Sequence, residues 1–183
     1  YRISDQSKAY FLTFQIVGWV DLFTRKTYRD IVIDSFKYCQ KNKGLNLFAY
    51  VIMSNHIHLL AQSESNDLSG FIRDFKSYTS KQFLDFIENG SESRQDWLKI
   101  VFAYHGRFKS KQENQIWTHE NHAELIYSQK FIEQKVNYIH NNPVKSGIVE
   151  NPEDYIYSSA RNYADLESVI DVIKVDFIWK TYH

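Results

Sequence analysis

Leu47 to Leu60, LFAYVIMSNHIHLL, is an apolar run broken only at Ser54-Asn55. Two short apolar stretches separated by polar turn formers read as two strands joined by a tight link. Side chains alternate between the faces of a strand, so His56 and His58 share one face while Ile57 and Leu59 take the other. Imidazoles two residues apart on a strand, about 6 to 7 Å between Cα atoms, can converge on one ion. The pair is an incomplete metal site, and the flanking elements decide what completes it.

Upstream, Ala9 to Val20 (AYFLTFQIVGWV) is rich in aromatic and β-branched residues and predicts the first strand, with Gly18 near its end. Thr24 to Lys43 predicts a helix with Thr24 as N-cap, Tyr28, Ile31, Val32, Phe36 and Cys39 on its buried stripe and Gly44 beyond its end. Downstream, Asp67 to Asn89 predicts a second helix, buried through Leu68, Phe71, Ile72, Phe75, Phe83, Phe86 and Ile87, with Arg73, Lys76 and Lys81 more exposed. Trp97 to Tyr104 fits a short helix or a strand, Gly106 to Asn114 a loop, and the neighbourhood of Ile116-Trp117 a further strand. Ser128 offers an N-cap to a helix carrying Phe131, Ile132, Val136 and Ile139, which Pro143 is expected to end near Asn142. Beyond it, Val144 to Tyr163 is turn-rich, and Leu166 to Trp179 is a candidate final apolar element. This order predicts an α+β, ferredoxin-like antiparallel sheet covered by helices: one domain over 1–183, with 144–183 as a C-terminal extension packed on it.

At 183 residues, with 43% hydrophobic and 24% charged residues and only 2 Pro and 6 Gly, the chain is an ordered globular domain rather than a linker. A single cysteine, Cys39, excludes an intrachain disulfide and a cysteine-built zinc site, and its place on a helical stripe assigns it to the core. No apolar run reaches the roughly 20 residues of a membrane span. Tyr1 is not an initiator, and with no leader visible the expected compartment is the cytoplasm, on the nucleoid when DNA-bound. Zero formal charge offers no whole-chain argument for nucleic acid, but Lys99, Arg107, Lys109 and Lys111 follow one another without a carboxylate between Trp97 and Gln112. Such a run is more often ordinary solvated surface than an interface.

Residues four apart on a helix face the same way, which pairs Tyr138 with Asn142 at the border of the buried stripe. His140 points roughly 160° away from Tyr138, so Asn142 is the better oxygen ligand beside the tyrosine. An amide oxygen suits Mg²⁺ or Mn²⁺, and imidazole is acceptable to Mn²⁺ and Zn²⁺. A second polar group, His119, Glu120 and His122, reads as surface hydrogen bonding before it reads as a ligand set. Phe108 and Trp117 fit packing better than base stacking.

Five blocks carry a family resemblance: GWVDLFTR at 18–25, YVIMSNHIHLL at 50–60, RDFKSYTSK at 73–81, YIHNNPVKSGIV at 138–149 and PEDYIYSSARNY at 152–163. The chain resembles the single-tyrosine HUH transposases (the IS200-like transposases), most closely their REP-associated tyrosine transposase branch, REP being repetitive extragenic palindromes. The resemblance implies that His56 and His58 are the metal pair, that Tyr138 is the nucleophile, and that Asn142 stands where relatives often have a glutamine as third ligand. It implies a divalent ion, Mg²⁺ or Mn²⁺, and single-stranded DNA flanking a hairpin as substrate. The implied activity is nicking and strand transfer through a 5′-phosphotyrosine, which conserves the phosphodiester energy for resealing. Arg73, Lys76, Arg107, Lys109, Lys111 and Lys135 are candidate DNA contacts. The alternatives are a non-catalytic DNA-hairpin binding protein and an RNA-processing nuclease on the same scaffold. Monomer and homodimer, with the tyrosine serving its own or a partner's site, are left equally open.

Overall fold

The computed structural model describes residues 3–107 and 113–176. Strands β1 (Tyr10–Gln15), β2 (Leu45–Ile52), β3 (His56–Ser63) and β4 (Glu124–Leu125) form one antiparallel sheet in the order β2-β3-β1-β4. The long helices are α1 (Lys26–Asn42), α2 (Leu68–Asn89), α3 (Gln95–Gly106) and α4 (Gln129–Lys145), followed by the short α5 (Ala160–Tyr163). With α3 set aside as an insertion, this is the ferredoxin-like arrangement expected from the order of elements.

Strand alternation divides the core. Leu12, Phe14, Ile57, Leu59 and Ala61 face α1 and α2, whose Val32, Phe36, Phe71 and Phe75 join them in one buried cluster. Phe11, Val51 and Leu60 face the other way and meet Val136 and Ile139 of α4 in a second, smaller cluster. His56 and His58 belong to this second face. A bulge between Leu47 and Ala49 shifts the β2–β3 register, so that Leu47 and Tyr50, three residues apart, both reach the larger cluster.

Both edges of the sheet are covered. On the β2 side, residues 157–159 run alongside, with Ile52 N–H donating to the Tyr157 carbonyl and Ser159 N–H to the Tyr50 carbonyl. On the β1 side, residues 116–121 bond to Thr13, Gln15 and Val17. Neither edge exposes a free ladder along these stretches.

Local departures from the sequence reading have identifiable causes. The first strand stops at Gln15, and Val17–Trp19 forms a 3-10 turn in which Gly18 at φ 63° and Trp19 at φ 57° redirect the chain. Thr24 does not cap α1: it ends the 3-10 turn Leu22–Thr24 and donates its hydroxyl to the Asp21 carbonyl, leaving Arg25 at the cap position. Arg25 is instead held by buried Glu92, which also pairs with Arg94 and accepts from the Tyr28 hydroxyl. The fourth strand lies at Glu124–Leu125 rather than at Ile116-Trp117, where only a single bridge from Trp117 to Ile16 forms. Trp117 is drawn into the core, its ring against Phe14, Phe23, Phe75 and Phe83 and its indole N–H donating to Thr79. Pro143 does not end α4. The helix continues to Lys145 and closes at Gly147, φ 70°, whose N–H reaches the Val144 carbonyl while Ile148 N–H reaches Pro143, a Schellman closure. No regular element forms over 166–176, although Ile170 is buried; Trp179 lies outside the described residues.

Candidate active site

Antiparallel pairing of β1 with β3 sets Thr13 opposite His58 and Gln15 opposite His56. The Thr13 hydroxyl lies 2.9 Å from His58 Nδ1, and the Asn55 amide oxygen lies 2.7 Å from His56 Nδ1. An amide oxygen only accepts, so His56 carries its proton on Nδ1 and keeps a bare lone pair on Nε2. The Thr13 hydroxyl engages His58 Nδ1 as donor or as acceptor, and fixes the ring's orientation. The two rings stand 4.6 Å apart between centroids.

Burial lowers the pKa of both imidazoles, that of His58 to about 3, with the charges of His56, Lys135 and His122 adding to the effect. Two neutral imidazoles with engaged Nδ1 atoms form a donor set that fits a divalent ion. Among the described residues, no three His, Cys, Asp or Glu side chains form a metal-holding group.

Tyr138 projects from α4 onto this pair. Its ring meets His58 edge-on at 5.2 Å between centroids and Phe11 at 5.9 Å, and it remains 41% exposed, open to a substrate. Phe11 also stacks on His58 at 5.3 Å, so one phenylalanine seats both the imidazole and the phenol. Asn142 follows one turn later, half-buried on the same helix. His140 turns inward, where its Nε2 lies 2.8 Å from the Ser159 hydroxyl and its ring packs on Tyr163; burial lowers its pKa to about 4. It serves the junction between α4 and the C-terminal extension.

The candidate DNA contacts separate. Lys135 lies close to the site, with its ammonium 4.3 Å from the Phe11 ring centroid and paired with Glu124 at 2.8 Å. Arg73 and Lys76 line a groove of about 670 Å³ between α2 and residues 114–121. Lys76 also donates to the Thr118 carbonyl, which gives it a structural role there, whereas Arg73 is 73% exposed beside Asp74. Arg107 ends α3 with its guanidinium 3.9 Å from the Tyr104 ring centroid. Phe108, Lys109 and Lys111 lie outside the described residues.

Three residues beside the site were not among the sequence candidates. Thr13 carries no local signal, because only strand pairing sets it against His58. Asn55 reads as a turn former, and its bond to His56 depends on how that turn closes. Lys145 holds its ammonium 5.6 Å from the Tyr138 ring centroid. It stands seven residues after the tyrosine, two helical turns, a spacing that could have revealed it.

Comparison with known proteins bears on the fold and the family. A solved structure of a REP-associated tyrosine transposase bound to a REP hairpin superposes with a TM-score of 0.62, covering 100% of this chain and 98% of that one. At 19% identity that likeness speaks for the fold. A Haemophilus influenzae protein assigned as a REP-associated tyrosine transposase is 30% identical over 138 residues, 73% of this chain and 72% of that protein. The family model for IS200-like transposases matches residues 20–142, a span that includes both strand histidines and Tyr138. On that match and that relative, the chain belongs to the IS200-like transposase family.

Proposed function

We propose that this protein nicks and rejoins single-stranded DNA beside a hairpin, with Tyr138 as nucleophile. The observation that carries the reading is the contact of Tyr138 with His58 within one chain, 5.2 Å between ring centroids. The Tyr138 oxygen attacks phosphorus in line as its phenol proton is released to solvent, a 5′-phosphotyrosine bond forms, and the P–O3′ bond breaks, the departing oxygen taking a proton from solvent to become a 3′-hydroxyl. Reversal on a different 3′-hydroxyl completes strand transfer with no external energy source. His56, His58 and, on the same side of α4 as the tyrosine, Asn142 are the residues that would hold Mg²⁺ or Mn²⁺. Such an ion, when bound, polarises the scissile phosphate and offsets the charge that develops on it. Lys145 adds positive charge beside the phenol from this chain's own residues.

The hairpin bound by the solved relative supports a hairpin as partner here. The test uses end-labelled hairpin oligonucleotides with single-stranded flanks from the source genome, incubated with Mn²⁺ or Mg²⁺ and resolved under denaturing conditions. A covalent adduct from wild type, absent from Tyr138→Phe and His56→Ala, is the expected result. Specific binding with no adduct under either ion would instead establish a non-catalytic hairpin-binding protein.

A further inference from the structure

The segment Val17 to Phe23, VGWVDLF, runs from β1 toward α1, and its apolar residues Val17, Val20, Leu22 and Phe23 are all at most 3% exposed. Among the large apolar side chains of the segment, Trp19 is the one turned outward, 71% exposed. It also holds φ 57°, a left-handed conformation that is costly for a bulky side chain and persists only where its surroundings enforce it. The surroundings are visible on both sides. A Cβ placed on Gly18 would come within 3.1 Å of the His105 ring, so Gly18 is seated directly against α3 and the next side chain is directed away. The Trp19 carbonyl accepts from the Asn55 amide nitrogen at 3.4 Å, while the oxygen of that same amide accepts from His56. One asparagine side chain therefore connects the exposed indole's backbone to the histidine pair.

We propose that Trp19 is a stacking platform for an unpaired nucleobase in the DNA strand next to the phosphate attacked by Tyr138. The inference rests on the DNA-nicking reading above and adds to it a base-binding position outside the groove and the catalytic residues. An indole offers a broad π-face to any base, and such stacking gives sequence-tolerant affinity for single strands. A strained tryptophan that is 71% exposed buries little surface on folding, whereas a platform requires both the exposure and the fixed backbone.

The experiment is a double-mutant cycle between protein and DNA. Binding of a flanked hairpin oligonucleotide is measured for wild type, Trp19→Leu and Trp19→Phe, with an abasic unit walked through the unpaired flank. Trp19→Leu is expected to weaken binding about tenfold, within the usual range for loss of one stacked base, and Trp19→Phe to retain most of the affinity. One abasic position should weaken wild type by a similar factor and add nothing further in Trp19→Leu, which identifies the base. Equal binding by wild type and Trp19→Leu, or losses that multiply at every flank position, would overturn the inference and leave the nicking reading standing. A wild-type protein that binds no hairpin at all would remove both. An unchanged thermal midpoint in Trp19→Leu separates lost stacking from lost folding.

Discussion

At the scale of single residues, hydrogen bonds to the two imidazoles orient the site. Thr13 and Asn55 each engage an Nδ1 atom, and the Asn55 amide oxygen, which only accepts, leaves His56 Nε2 as a lone pair. Outer partners of this kind typically contribute 10- to 100-fold in metal affinity. Thr13→Val, which keeps the shape and removes the hydroxyl, is expected to weaken Mn²⁺ binding about tenfold in titration calorimetry, with Thr13→Ser restoring most of it; equal affinity in all three proteins would contradict the role. His140 is a different kind of histidine. Burial holds it neutral in the folded state down to a pKa of about 4, while the unfolded chain takes up that proton near 6.5. The unfolded state thus binds the extra proton first as pH falls. Stability from this group is complete above pH 6.5 and declines toward pH 4, by at most ~1.4 kcal/mol per pH unit. Denaturant melts of wild type and His140→Leu across that window should differ in slope in this sense, with wild type the more pH-dependent.

Elements place these residues by rules that operate over a few turns or a few strand pairs. Alternation on β3 puts both histidines on the α4 face, and helical spacing on α4 presents Tyr138 to them while turning His140 inward. Those two periodicities were readable from the residues themselves. Helix ends were less so, because a terminus is set by competition between local signals. Pro143 removes one backbone donor, yet its ring is buried and the Schellman bonds at Gly147 complete the next turn, so the glycine prevails over the proline. A Cβ at Gly147 would meet nothing within 4 Å, which leaves backbone conformation as the main cost of Gly147→Ala. That variant should lose about 1 kcal/mol in chemical denaturation without loss of hairpin binding. Thr24 failed as a cap for a related reason: Arg25 is claimed by Glu92 from a distant part of the chain, and α1 starts where that ion pair allows.

Across the whole molecule, buried Glu92 joins the start of α1 to the start of α3 through Arg25 and Arg94, with the Tyr28 hydroxyl as a further donor. Burial opposes its ionisation, but hydrogen bonds from Arg94 and Tyr28 outweigh that and lower its pKa. Glu92→Ala leaves Tyr28 without that acceptor and should cost about 2 to 3 kcal/mol by equilibrium unfolding, with little effect on adduct formation per folded molecule. The groove lined by Arg73, Lys76 and Lys81 lies between α2 and residues 114–121, and exposed Arg73 is its clearest phosphate-binding candidate. Arg73→Glu should weaken hairpin binding across sequences and lower the salt dependence of log K by about 0.7 to 0.9 for each phosphate that is no longer neutralised; an unchanged slope would remove Arg73 from the interface. Sequence alone determined the ferredoxin-like order of elements, the shared face of His56 and His58, and the pairing of Tyr138 with Asn142, because each follows from a period of two or 3.6 residues. Tertiary structure alone decided that Thr13 faces His58, that Trp117 enters the core instead of founding a strand, and that Trp19 is held outward. These depend on strand register and on contacts between segments far apart in the chain, which no local period encodes.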